Sequence, residues 1–469
     1  MPARKDRRRA PRTRRSRTLT ERTNRPEPTT PADEPAEAEA AAVSGEPALA
    51  PAPSASSAVA ARLPALASPV YRRFILAAFI GSIGNWMQST AQGWLVLGLT
   101  DSQFALGATS AASTAPILLL SVFAGVLADR MDLRKLLAAT QLGAAAVAAV
   151  LAILTVTNVV AFWQVLVLAV LSGAAGALAS PAFQAVVSTI VDRSAIGNAV
   201  ALNSAQFNLS RVLGPTVAGL VIAAGSIALA FFANAVALVI VAAVIFSLPI
   251  GRASGAGRVE ASIWANLIDG VRYVRAERTI ALLVLLAAIP ALFILNYLVL
   301  MPVFARDILR VGAPGLGLLN ASLGVGALTG AISVAILRPG GGSGRLALLG
   351  LASASVGLIV FGLSTALPLS CAALAVLGGS QVAYYATTNT LIQVLVSPRL
   401  RGRVLSLYVL TSLGVIPFGN LIAGAVAERF GAPLALAGGG TVTLVILAAV
   451  AVSFPALRRV RPEHVAAAG

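Results

Sequence analysis

From Phe74 onward, apolar stretches of about twenty residues recur twelve times, separated by short polar or Gly/Pro-containing turns. They fall at about 74–99, 104–128, 136–156, 160–181, 198–224, 227–249, 279–302, 314–337, 346–366, 368–396, 404–428 and 432–455. A helix of that length crosses a hydrocarbon core of roughly 30 Å. Lipid offers backbone groups no partners, and these runs are too long for barrel strands, so the spans must be helices. Composition agrees: 57% of the chain is hydrophobic and 11% charged. A soluble domain carries about 25% charge. A soluble enzyme is excluded, and the expected fold class is an all-α integral membrane protein.

Charge sets the orientation. When both tails and alternate connections are assigned to one side, that side holds 31 of the 35 Arg/Lys residues. The remaining four are Arg211, Arg306, Arg310 and Arg429. The basic side is therefore expected to be cytoplasmic, with both termini on it. The net charge of +17 is mainly this orientation signal, and no nucleic-acid partner is expected. Residues 1–73 read as a disordered tail, basic over 4–25 and acidic over 27–46. The first apolar run comes too late for a signal peptide.

The inventory removes whole classes of chemistry. Cys371 and His464 are the sole cysteine and histidine, and Lys5 and Lys135 the sole lysines. No disulfide framework, His-based triad, zinc site or GxxxxGK[ST] loop can be assembled, so neither a metal nor a cofactor is expected.

The longest internal connection, 250–278, falls in the middle of the spans. Ile263, Leu267, Val271 and Val274 share one face within it, with Asp269, Arg272 and Arg275 interleaved, which predicts a basic amphipathic interfacial helix. It divides the chain into six-helix bundles at 74–249 and 279–455, followed by a cytoplasmic tail at 456–469. The halves are related. A shift of 205 residues carries Gly107, Gly125, Gly173, Gly197, Gly214 and Gly219 onto Gly312, Gly330, Gly378, Gly402, Gly419 and Gly424. Two parallel repeats of this kind are a transporter architecture with the substrate site between them.

The connection after span two reads Gly125-Val-Leu-Ala-Asp129-Arg130-Met-Asp132-Leu-Arg134-Lys135. It resembles the GxxxD(R/K)xG(R/K)(R/K) signature of the major facilitator superfamily, departing from it at Asp132, where glycine is preferred, and by the extra Leu133. With the span count, repeat and central loop, the resemblance covers residues 74–455. It implies a cytoplasmic gate in which Asp129 and the neighbouring arginines latch the halves, with Arg401 and Arg403 at the start of span eleven as partners. The alternative is that these charges only set topology. Span five holds Arg211-Val-Leu-Gly214-Pro215-Thr-Val-Ala-Gly219, similar to the GPxxGG signature of antiporter branches with Ala218 replacing the first paired glycine. Asn198-Ala-Val-Ala-Leu-Asn203, Asn208-Leu-Ser-Arg211 and the 398–406 loop resemble the enterobactin-exporter-like branch in particular.

In the superfamily, spans one, four, seven and ten line the cavity. Span one supplies Asn85, Gln88 and Gln92 on one face, and three amides together have no reason to meet lipid. Span seven supplies Asn296, and span ten supplies Gln381, Tyr385 and Asn389 on one face. Interhelical bonding without ligand contact is the alternative for each. Arg211 lies near mid-span, where an arginine costs about 2.5–3.5 kcal/mol. Either it faces the cavity, binding an anion or sensing protonation, or it locks packing through carbonyls.

All 18 acidic residues can be placed, and none reads as mid-span. Proton coupling, the candidate energy source, would fall to Glu428 or Asp307 near span ends. The expectation is a monomeric secondary transporter in a bacterial plasma membrane, exporting a drug-like compound or siderophore-like metabolite by alternating access. A nutrient importer and a transport-inactive receptor or scaffold are the alternatives.

Overall fold

A computed structural model describes residues 63–250, 263–337, 343–397 and 400–459. The expected tail therefore lies largely outside the described residues, as do 251–262 and the end of the C-terminal tail. The tail expectation extends too far at its inner end. Pro64–Ala67 forms one helical turn, and Ser68 caps a helix that already begins at Pro69. Tyr71 is buried, with its hydroxyl donating to the Ala199 carbonyl at 2.9 Å. The Ala65 amide donates to the side-chain oxygen of Asn198 at 3.2 Å. The entry segment is thus fixed against the start of span five.

The described chain is helical, in the order the apolar runs predict. Spans one to six are Pro69–Thr100, Gln103–Arg130, Leu133–Val156, Phe162–Ile190, Ile196–Ala223 and Ile227–Ser247. Spans seven to twelve are Arg278–Ile308, Gly312–Leu337, Gly344–Leu363, Leu367–Leu395, Arg401–Phe430 and Ala432–Ser453. Ten of these are long and apolar enough to cross a membrane. The other two, spans one and five, have the length but not the hydropathy. They carry Asn85, Gln88 and Gln92, and Asn203, Gln206, Asn208 and Arg211. They pack against one another, so each turns part of its polar face toward protein. Large apolar side chains such as Phe232, Val445 and Val452 point outward, as a lipid surround requires.

Short polar residues start the helices. Ser68, Ser102, Ser226 and Ser343 accept from amides in the first turns of spans one, two, six and nine. Asp132 does the same for span three, accepting from the Arg134 and Lys135 amides at 2.9 and 3.3 Å. The residue that departs from the family pattern is therefore a helix cap. Spans seven and eleven, which the hydropathy reads as single runs, are interrupted. Span seven widens into i→i+5 bonding twice, from Leu295 to the Pro290 carbonyl and from Leu309 to the Phe304 carbonyl, both at 2.8 Å. Span eleven breaks at Gly414-Val415, just before Pro417, which has no amide to donate.

The repeat is visible in the packing. A methyl group on Gly214 of span five would sit 2.5 Å from Trp86 Cβ on span one. Its repeat mate, Gly419 of span eleven, meets Ala291 and Leu292 of span seven, the mates of Trp86 and Met87. The connecting helix Ile263–Ala276 forms as its pattern predicts. Val271 and Val274 pack on the core, and Asp269 accepts from Arg403 of span eleven at 2.9 Å.

Candidate functional site

Span one brings its amide face to a cavity of about 500 Å³ that Asn85, Gln88 and Gln92 all line. That volume suits a small organic ligand. Gln88 is also tied sideways, accepting from Asn234 of span six at 2.7 Å. Further polar lining comes from Ser89 and Thr90 of span one, Ser172 of span four, and spans two, three, eight and eleven. Thr109, Ser110, Gln141, Asn320 and Asn420 contribute to it, and none was singled out by sequence. Asn420 donates to the Ser110 hydroxyl at 2.9 Å, closing the cavity across the two halves.

The remaining proposed cavity residues fall elsewhere. Arg211 of span five donates to the Tyr297 hydroxyl at 3.4 Å, which in turn donates to Gln381 of span ten at 3.2 Å. Three spans from both halves thus meet in a second polar cluster. Tyr385 packs edge-on against Tyr384, with ring centres 5.4 Å apart. Asn296 is buried and donates back to the Leu292 carbonyl of its own helix at 2.7 Å. Asn389 accepts from Gln393, one turn along the same span.

The two ends of the bundle differ. At the end bearing Asp101, span two meets span eleven and span five meets span eight. Small residues permit this. A methyl on Gly107 would lie 2.5 Å from the Asn420 carbonyl and 3.0 Å from Gly424 Cα. A methyl on Gly219 would lie 2.5 Å from the Ala313 carbonyl. Charges complete the closure. Glu428 of span eleven accepts from the Gln103 and Phe104 amides at 2.7 and 3.0 Å and from Ser102 at 3.1 Å. It sits on the positive end of span two. Arg306 binds Asp101, the Leu97 carbonyl and its neighbour Asp307. Sequence reading placed Asp101, Asp307 and Glu428 without seeing this latch. One signal was there: Asp101 and Arg306 are 205 residues apart, so they are repeat mates of opposite charge.

At the basic end, no hydrogen bond or ion pair among the described residues joins the halves. Asp129 and Arg130 lie in the last turn of span two, and the Asp129 side chain is outside the described set. A methyl on Gly125 would meet nothing within 4 Å. Arg134 lies 5.9 Å from the Phe246 ring and Lys135 follows it on span three. Across the cleft Arg403 is engaged by Asp269 of the connecting helix, and the buried Arg401 Nε has no partner among the described residues. Among the described side chains, those assigned to this gate lie on facing elements and share no hydrogen bond or ion pair across the halves.

Residues 60–467 match the family model described as transmembrane secretion effector, of MFS type. The chain belongs to the major facilitator superfamily. It is therefore a transporter and not an enzyme. Over 402 residues it is 28% identical to the multidrug efflux pump Tap of Mycolicibacterium fortuitum, covering 82% of this chain and 95% of Tap. It is 31% identical over 178 residues to the staphyloferrin A transporter of Staphylococcus aureus, which covers 38% of this chain and 44% of that protein. The chain thus matches less than half the length of that relative. Among solved structures it resembles a variant of the nucleoside transporter NupG (TM-score 0.69, 11% identity, 82% of this chain and 100% of that one). It also resembles an inward-facing, unoccupied bacterial homologue of the lysosomal transporter Spinster (TM-score 0.63, 16% identity, 81% and 96%). At such identities the likeness is one of fold alone.

Proposed function

We propose that this major facilitator protein exports a small organic molecule, drug-like or siderophore-like, from the cytoplasm by alternating access. The observation that carries the reading is the asymmetry of the two ends around a polar cavity. The halves are latched at the Asp101 end and unjoined among described residues at the basic end. With 31 of 35 cations on the basic side, that end faces the cytoplasm and both termini lie there. The structure then corresponds to a carrier ready to load from inside. The names of Tap and the staphyloferrin A transporter support organic cargo, and Tap supports the outward direction. Gly214 and Gly219 on span five, together with Pro215, supply the close packing against spans one and eight along which the halves rock. A monomer suffices, because one chain supplies both walls. Protons are the coupling ion we propose, acting on the latch carboxylates.

The test is solute flux in vesicles reconstituted with the purified full chain, alongside susceptibility and metabolite secretion of deletion and overexpression strains. Outward flux that stops when the Asp101 end is crosslinked supports the reading. Flux inward only would make the protein an importer, and no flux under any gradient would sink transport altogether.

A further inference from the structure

We infer that the exported molecule is an amphipathic organic anion, whose charged group pairs with Arg211 while its apolar body lies against Trp86 and Phe207. This rests on the exporter reading above and names the cargo class for it. Arg211 lies near the middle of span five and makes no ion pair among the described residues. The acidic side chains of the described spans cluster at the ends: Asp101, Asp307 and Glu428 at one, Asp132 and Asp192 at the other. The protein therefore places a permanent cation in the bundle interior without a counter-ion from its own described residues.

Two donors in this cluster are left unused. Arg211 donates to the Tyr297 hydroxyl, and that hydroxyl spends its proton on Gln381 Oε1. This leaves the Gln381 amide nitrogen as a buried donor with no partner among the described residues, and Arg211 Nε as another. Buried donors without acceptors are costly, and an anion is the ligand that satisfies several at once. A cation placed here would meet the guanidinium instead. One turn from Arg211, Phe207 packs edge-on to Trp86 at 5.9 Å between ring centres. These two rings, with Ser82, Asn85 and Ser89, line a pocket of about 270 Å³. An aromatic wall one helical turn along span five from a guanidinium without a counter-ion fits a molecule with an apolar ring at one end and an acid at the other.

A merely structural arginine would tie helices together through carbonyls, and its loss would loosen the fold. A binding arginine held without a counter-ion strains the empty protein, so its removal leaves thermal stability equal or higher. The experiment uses membrane-impermeant probe pairs on naphthalene, quinoline and benzene rings, one member bearing a sulfonate and the other a trimethylammonium group. Flux of each is measured in vesicles carrying the full chain, Arg211→Gln or Arg211→Lys. We expect sulfonates to be moved in preference to cations, and Arg211→Gln to cut sulfonate flux about tenfold to a hundredfold with melting unchanged or raised. Arg211→Lys should retain part of the sulfonate flux. Equal flux of both charges, preference for cations, or parallel loss of flux and melting temperature in Arg211→Gln would overturn the assignment. Flux of no probe on any ring would instead remove the exporter reading beneath it.

Discussion

Asp132 shows how a single residue can serve fold and topology together. Its carboxylate caps span three where the family pattern prefers glycine, so the turn is held by a side chain. Asp132→Ala should cost about 0.5–2 kcal/mol, read as a lower melting temperature of the detergent-solubilised chain. Flux per folded molecule should stay near that of the parent, because the residue touches neither cavity nor latch. Glycines at the two ends give a sharper contrast. Gly107 is packed against the opposite half, whereas Gly125 has room. Gly107→Val should destabilise this closed Asp101 end, and Gly125→Val should leave melting unchanged while impairing flux, since the basic end must close during the proposed transport cycle. Equal melting of the two variants would contradict the assignment of the ends. Span one's amides were legible because three of them on one helix face stand out from an apolar run. Thr109 and Thr114 were not. Their hydroxyls donate to carbonyls one turn back, Ala105 and Ser110, both at 2.8 Å, so they cause no visible break in the pattern.

Helix existence was readable from apolar runs, but the state of individual helices was not. Hydropathy cannot report the wide turns of span seven or the break in span eleven, since both keep an apolar sequence. Prolines at 290, 302 and 417 were the available signals. The same limit applies to pairing between elements. Glu428 looks like an ordinary charge near a helix end, and only the fold brings it to the start of span two, 325 residues away from Gln103. Its bonds with that helix are a cross-half tie at the Asp101 end, beside the Arg306–Asp101 pair. Glu428→Gln keeps the shape and removes the charge that favours a helix N-terminus. It should weaken closure by about 0.5–2 kcal/mol, a several-fold gain in molecules open at that end. Distance distributions between spin labels on the outer turns of spans two and eleven, in a background with Cys371 replaced, would show the longer population grow. An unchanged distribution would mean that the glycine contacts alone hold the end shut. Asp269 tests the other end. By releasing Arg403, Asp269→Asn should make that arginine available to span two and raise the population closed at the basic end, read by the same labels placed there.

At the scale of the whole molecule, the glycine repeat and the latch express one symmetry. Asp101 and Arg306 occupy equivalent places in the two repeats, and they meet where the repeats come together. Opposite charges at mated positions convert an internal duplication into a closure between its copies. The sequence shift therefore held information about contact as well as ancestry. Coupling follows from where the charges lie. With Arg211 in the interior and the described carboxylates at the ends, the proposed proton coupling is assigned to the latch, where carboxylates join the two halves. Glu428 faces the span-two amides, with Ser102, Asp101 and the Arg306–Asp307 pair beside it. Protonation from the outer side removes the charge that these amides hold and so favours opening outward, which makes export depend on the outside pH through the latch. A membrane potential negative inside adds about 2.3 kcal/mol per 100 mV for each anionic charge exported. Imposing a pH gradient and a potassium-diffusion potential separately on vesicles divides the two sources. The native chain should respond to both, and Glu428→Gln should lose the pH response and keep the electrical one. If Glu428→Gln follows the pH gradient as the parent does, protons do not enter the cycle through the latch.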